Sequence, residues 1–191
     1  MKRRKAIKQI MLFTGAGIAS FSAMDYYIFL KTPSVYELEK NRVLIEALAE
    51  TIIPATDTPG ASQAKVHDFI ILMIKDCSYS NTQSNFIEGL TDLKKYCQSN
   101  FGKPFTACSL IEKTMVLQHF EKKGIPIRGI LGKIQTKLLG RSFFGTLKAL
   151  TINGYCTSFP GATQGLAYIP VPGKYIGHTV LEAHQKVWAT R

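Results

Sequence analysis

Residues 66–77 read VHDFIILMIKDC, the cleanest pattern in the chain. Val66, Phe69, Ile70, Met73, Ile74 and Cys77 fall at i, i+3, i+4, i+7, i+8 and i+11. That spacing is one face of an α-helix and fits no strand. Upstream, Val35, Leu38, Ile45, Leu48, Ala49 and Ile52 repeat at helical spacing, and Ser34 with Glu37 forms a capping box ahead of them. Pro54 ends this helix and biases Ile53 toward extended backbone. Residues 54–62, PATDTPGAS, form a turn-rich loop.

Downstream, Ser78 to Asn81 breaks the helix, and Phe86, Leu90, Leu93 and Cys97 mark the next one. It closes in residues 100–104, NFGKP, where Gly102 is a left-handed stop. Ser109 and Glu112 form another capping box, opening a helix that carries Ile111, Met115, Val116 and Phe120 and ends at Gly124-Ile125-Pro126. Ile130, Leu131, Ile134, Leu138 and Leu139 mark a further helix, interrupted near Gly140. Phe143, Phe144, Leu147 and Leu150 continue or restart it. The pattern predicts an all-α single domain over residues 32–191. An irregular Gly/Pro-rich arm occupies residues 152–178, with no helical periodicity from Gly154 to Gly177, and a short last helix runs from Thr179 to Trp188.

The length, 191 residues, suits one domain. With 46% hydrophobic and 19% charged residues the composition argues against disorder. The net charge of +11 carries little meaning for nucleic acid, because Lys2, Arg3, Arg4, Lys5 and Lys8 crowd the first eight positions and no basic stripe interleaves with aromatics. No nucleic-acid partner is expected.

Residues 1–31 have the grammar of an address. A basic start is followed by the uncharged IMLFTGAGIASFSAM, residues 10–24. Arg3, Arg4 and Lys8 fit a twin-arginine export signal, whereas Lys2 and Ala6 stand where other residue types are usual. The segment is cleaved or kept as a single N-terminal anchor. The bland alternative is a buried first helix of a cytosolic protein.

The inventory of chemistry is sparse. The sequence has no Gly-x-Gly-x-x-Gly, no Gly-x-x-x-x-Gly-Lys-Ser/Thr, no Cys-x-x-Cys and no Gly-x-Ser-x-Gly. His67 is expected near solvent, His119 half-buried, and His178 and His184 in or near the tail, which makes none of them a ligand or a base. No catalytic, cofactor or metal residue is assigned to this chain. Cys77 and Cys97 lie on apolar faces and read as buried free thiols. If the chain is exported, disulfides become permissible, and Cys77, Cys97, Cys108 and Cys156 allow three pairings among which the sequence does not choose.

Residues 44–61 (LIEALAETIIPATDTPGA), 66–77, 101–105 (FGKPF) and 150–177 (LTINGYCTSFPGATQGLAYIPVPGKYIG) resemble the gluconate 2-dehydrogenase subunit 3 family, in order, over about Leu38 to Trp188. The resemblance implies a non-catalytic small subunit of a membrane-associated sugar or sugar-acid dehydrogenase complex. The large subunit of such a complex is an FAD-dependent flavoprotein of the glucose–methanol–choline type, often with a haem-bearing cytochrome c subunit. It implies a periplasmic location, with the flavoprotein exported folded on the small chain. The alternatives are a free-standing exported enzyme and a membrane-tethered structural protein without a redox partner. On this reading the arm is expected to lie across the flavoprotein. Its contacts are expected from Tyr155, Phe159, Gly161, Thr163, Gln164, Tyr168, Pro170, Pro172, Tyr175 and the sole tryptophan, Trp188.

Overall fold

The computed structural model describes residues 35–124, 141–171, 173, 174, 177, 178, 180, 181, 183 and 185–189. They form helices α1 (Val35–Lys40), α2 (Arg42–Ile52), α3 (Val66–Cys77), α4 (Ser80–Phe101), α5 (Leu110–Lys123) and α6 (Phe143–Thr157), with a 3₁₀ turn at Phe105–Ala107 and a π turn at Gly161–Gly165. The fold is all-α, as the periodicity predicts, and the described residues hold no β-strand. The export segment (residues 1–31, with Arg3, Arg4 and Lys8), Ser34 and the helix expected over residues 130–139 lie outside the described residues. So do Pro172, Tyr175 and His184.

The one helix expected over residues 35–52 is two. Asn41 Nδ2 donates to Glu37 O at 2.6 Å, taking the carbonyl that its own amide would use in an unbroken helix. The Asn41 amide turns instead to Leu38 O at 3.1 Å. A side chain that competes locally for backbone partners interrupts the helix, and Asn is suited to that. As Pro54 requires, α2 ends with Ile53 in extended backbone at φ −128°, ψ 84°.

Helix α6 is the hub, touching α2, α3, α4, α5 and the π turn. It buries Phe143, Phe144, Thr146, Leu147, Thr151, Gly154 and Tyr155, residues spread round much of its circumference. Around it the core collects Leu38, Ile45 and Leu48 from α1 and α2, Ile70 and Ile74 from α3, and Phe86, Leu90 and Leu93 from α4. Phe143 meets the rings of Phe86 at 5.3 Å and Phe120 at 5.9 Å, tilted or edge-on as aromatic quadrupoles prefer. Close approach depends on small residues. A Cβ at Gly89 would enter the Phe143 ring, and one at Gly154 would lie 2.7 Å from Phe69 Cδ1.

Several residues take other positions than their spacing implied. Cys77 is exposed, because burial along α3 ends at Ile74 and Cys77 is the last residue of the helix. On α5 the buried residues are Val116, Leu117 and Phe120, so Ile111 and Met115 face outward. Both α5 faces have apolar residues, and contact with α2, α4 and α6 selects one. His67 is mostly covered, its side chain 12% exposed, with Nε2 3.4 Å from Asp68 Oδ1. His119 is exposed and stacks on Tyr96 at 4.3 Å. Helix α6 also runs to Thr157, well into the stretch expected to be irregular. No helix forms among the described residues of 179–188, where Trp188 instead makes a β-bridge with Ala167.

Gly102 stops α4 in the left-handed region at φ 65°, as expected. The Ser109 capping box is complete: the Ser109 amide donates to Glu112 Oε2 at 2.7 Å and the Glu112 amide to Ser109 Oγ at 3.4 Å. Lys103 Nζ lies 2.8 Å from the same Oε2. The Lys103 hydrogen bond first, then those from Ser109, lowers the Glu112 carboxyl from 4.5 to about 2. A carboxylate depressed in the folded state stabilises the protein above its unfolded value, and that contribution is lost as pH falls through the folded value. The thermal midpoint should therefore drop between pH 4.5 and about 2, and Glu112→Gln should flatten that part of a calorimetric pH series.

Gly89→Ala pits two effects against each other. Helix propensity favours Ala by about 1 kcal/mol, whereas overpacking a filled core costs about 1–3 kcal/mol. Because the new methyl would fall within 2.5 Å of Phe143 Cδ2, packing dominates. Urea denaturation should show a net loss of about 1–2 kcal/mol.

Candidate functional site

Two of the segments that resist a generic reading, residues 54–62 and 155–171, meet at Tyr155. Its ring is buried, 8% exposed, and its hydroxyl donates to Pro59 O at 2.7 Å across 96 positions of sequence. The loop that receives it is shaped by acidic side chains of α2. Glu50 Oε1 accepts from the Ala55 amide at 3.0 Å and Oε2 from the Ser62 amide at 2.8 Å, while Glu46 accepts from the Ser62 hydroxyl. The Ala61 amide closes the loop onto Ile53 O at 2.9 Å. Backbone groups of a nine-residue loop thus find partners without a strand or helix of their own.

On the other side of Tyr155 the chain folds back over it. Ser158 ends α6 and its hydroxyl donates to Tyr155 O at 2.7 Å; the Gly161 amide donates in turn to Ser158 Oγ at 3.1 Å. The π turn is closed by the Leu166 amide on Gly161 O at 2.9 Å. Glycine is required twice here: a Cβ at Gly161 would strike the Tyr155 carbonyl, and one at Gly165 would lie 2.6 Å from the Tyr155 hydroxyl. Tyr155 and Gly161, expected to be contact residues for a partner, are internal. They pack against the chain's own loop because the turn needs both the ring and the missing side chain.

The remaining expected contact residues divide differently. Phe159 is 78% exposed, with Tyr168 and Pro170 also outward, and Ile169 and Val171, which were not among the expected residues, are exposed beside them. Trp188 is 49% exposed and sits in the bridge that joins the tail to the arm, where the Ala167 amide donates to Val187 O and the Ala189 amide to Ala167 O, each at 2.8 Å. Lys186 Nζ donates to Gln164 O at 2.6 Å, and Thr163 Oγ1 to Phe159 O at 2.7 Å. Thr163 therefore braces the turn through its side chain, and Gln164 ties it to the tail through its backbone carbonyl. No sequence signal marks Glu46 and Glu50, which read as ordinary solvated residues of α2.

Chemically the site offers shape. Glu46 and Glu50 are engaged by amides and a hydroxyl, and no group of three or more His, Cys, Asp or Glu gathers among the described residues. A groove of about 540 Å³ lies elsewhere, lined by Lys40, Asn41, Lys94, Lys95 and Phe105 among others, none from the two motif segments. Among the described residues no helix is long and apolar enough to cross a membrane.

Residues 39–173 match the family described as gluconate 2-dehydrogenase subunit 3. The chain belongs to that family. The match takes in both motif segments, the whole of α2 to α6 and the π turn, and stops short of Trp188. No curated protein and no solved structure matches the chain at a significant level. The gluconate 2-dehydrogenase subunit 3-like chain thus keeps its most distinctive sequence where one tyrosine joins a loop to a turn.

Removing the Tyr155 hydroxyl by Tyr155→Phe leaves the Pro59 carbonyl without its donor. The expected loss is about 1 kcal/mol of stability. Amide hydrogen exchange should quicken in residues 54–62 more than in α4. Equal protection in the two regions would show that the hydroxyl does not hold the loop.

Proposed function

We propose that this chain is the non-catalytic small subunit of a periplasmic, membrane-associated sugar or sugar-acid dehydrogenase. It carries a large FAD-dependent flavoprotein through export and stabilises it. The flavoprotein oxidises the substrate and passes electrons to a cytochrome c or a quinone. FAD, and haem c where a cytochrome is present, belong to the partner subunits. Residues 1–31 act as the twin-arginine address through Arg3, Arg4 and Lys8.

One observation carries the docking role: the outward apolar residues Phe159, Tyr168, Ile169 and Val171, with Trp188 bridged to Ala167, flank a turn that packs on the buried Tyr155. Large exposed apolar side chains on an ordered backbone favour a partner surface, since little conformational entropy is lost on binding. Membership of an oxidoreductase-subunit family supplies the kind of partner.

The test is co-expression with a large FAD-dependent dehydrogenase subunit of the kind such complexes contain. Phe159→Asp with Trp188→Asp should cut flavoprotein recovery on the tagged small chain by about tenfold or more, with little change in the small chain's own thermal midpoint. Arg3→Lys with Arg4→Lys should leave the flavoprotein in the cytoplasm. Undiminished recovery would refute the docking surface, unchanged export would refute the address, and sugar turnover by the small chain alone would refute the non-catalytic role.

A further inference from the structure

Cys97 and Cys108 come together. Cys97 lies on the inner stripe of α4 and is fully buried; Cys108 follows the 3₁₀ turn and is 5% exposed. Gly102 turns the chain at the end of α4, and Phe105 plugs into the core, so the segment doubles back on the helix it has just left. The 3₁₀ turn that Cys108 caps packs on α4, so both thiols are buried at one junction and Cys108 is the neighbour that acts on the Cys97 thiol, while Cys108 Sγ donates to Pro104 O at 3.5 Å. Cys77 is exposed and Cys156 half-covered, and neither enters this contact. The Lys103–Glu112 ion pair and the Ser109 capping box fix the connection from outside. The geometry therefore resolves a choice that the spacing of four cysteines left open.

We propose that Cys97 and Cys108 form an intramolecular disulfide when the chain folds in an oxidising compartment. The oxidant is an organic disulfide or a disulfide-bearing oxidoreductase. The Cys108 thiolate attacks one oxidant sulfur, the oxidant's S–S bond breaks and one thiolate leaves. Cys97 then attacks the Cys108 sulfur of the mixed disulfide and expels the second thiolate. Two electrons pass to the oxidant, and the two thiol protons end on the released thiols. In the folded, reduced chain burial first, then the neighbouring Cys108, pushes the Cys97 thiol up to about 11. Its thiolate is therefore scarce once the core has closed. Closure belongs to folding, before the core seals, and oxidation of the finished fold is slow.

The pairing rests on geometry; only the compartment rests on the export reading. In the first test the full chain is reduced, unfolded and refolded in a glutathione redox buffer. Free thiols are capped with N-ethylmaleimide and the peptides mapped by mass spectrometry. The expected product links Cys97 to Cys108 with Cys77 and Cys156 capped. The bridge should raise the thermal midpoint by roughly 5–10 °C over the same chain refolded with dithiothreitol. Cys108→Ala should abolish the shift and Cys77→Ala should keep it. Four capped thiols, or a bridge through Cys77 or Cys156, overturns the pairing. The second test caps thiols at lysis in cells co-expressing the flavoprotein. A bridge in refolded chain with four free thiols in cell-derived chain overturns the oxidising compartment and upholds the pairing.

Discussion

The fold depends on covering α6. Its buried residues run from Phe143 to Tyr155 and face several directions, so no single neighbour satisfies them. Helices α2, α3, α4 and α5 all contact it. Each fully buried aliphatic or aromatic side chain contributes about 1.5–3 kcal/mol by leaving water, and the helix gathers several of them. Two close approaches set the spacing: Gly89 of α4 admits Phe143, and Gly154 admits Phe69 of α3. Because the hub is the last of the described α-helices in chain order, the earlier helices lack their shared partner until it docks.

The same helix connects packing to function. Tyr155, on its last turn, uses its ring to fill the space under Gly165 and its hydroxyl to hold Pro59. The rigidity of the core is thereby extended to an irregular loop and an irregular turn. Phe159 faces outward just ahead of that turn, and Tyr168, Ile169 and Val171 face outward after it. Family membership and an ordered apolar edge together favour a subunit whose work is contact. At the C-terminal end of α4, a Cys97–Cys108 bridge would likewise fasten the segment that carries Phe105 into the core.

Local signals were legible wherever a few adjacent residues determine the outcome. Pro54, Gly102 and the Ser109–Glu112 box act through steric limits and hydrogen bonds within one turn, and all three do what their sequence implies. The Asn41 break was missed because the competing bond to Glu37 O is local but weakly encoded: Asn is tolerated inside many helices. The end of α6 was missed because Gly154, Pro160 and Gly161 read as loop residues. Gly154 is in fact a contact residue, and Pro160 begins a further helical turn in right-handed backbone at φ −62°, ψ −43°.

By itself the sequence determined the all-α class, most helix boundaries and, through its motif strings, the family, since periodicity, caps and distinctive loop strings are properties of the chain alone. Tertiary structure decided which face of α5 is buried, that Tyr155 points inward while Phe159 points outward, and which two of the four cysteines meet. Those outcomes depend on atoms brought together from positions as far apart as Pro59 and Tyr155. No local propensity encodes such a contact, because its energy exists only once several helices have closed around α6.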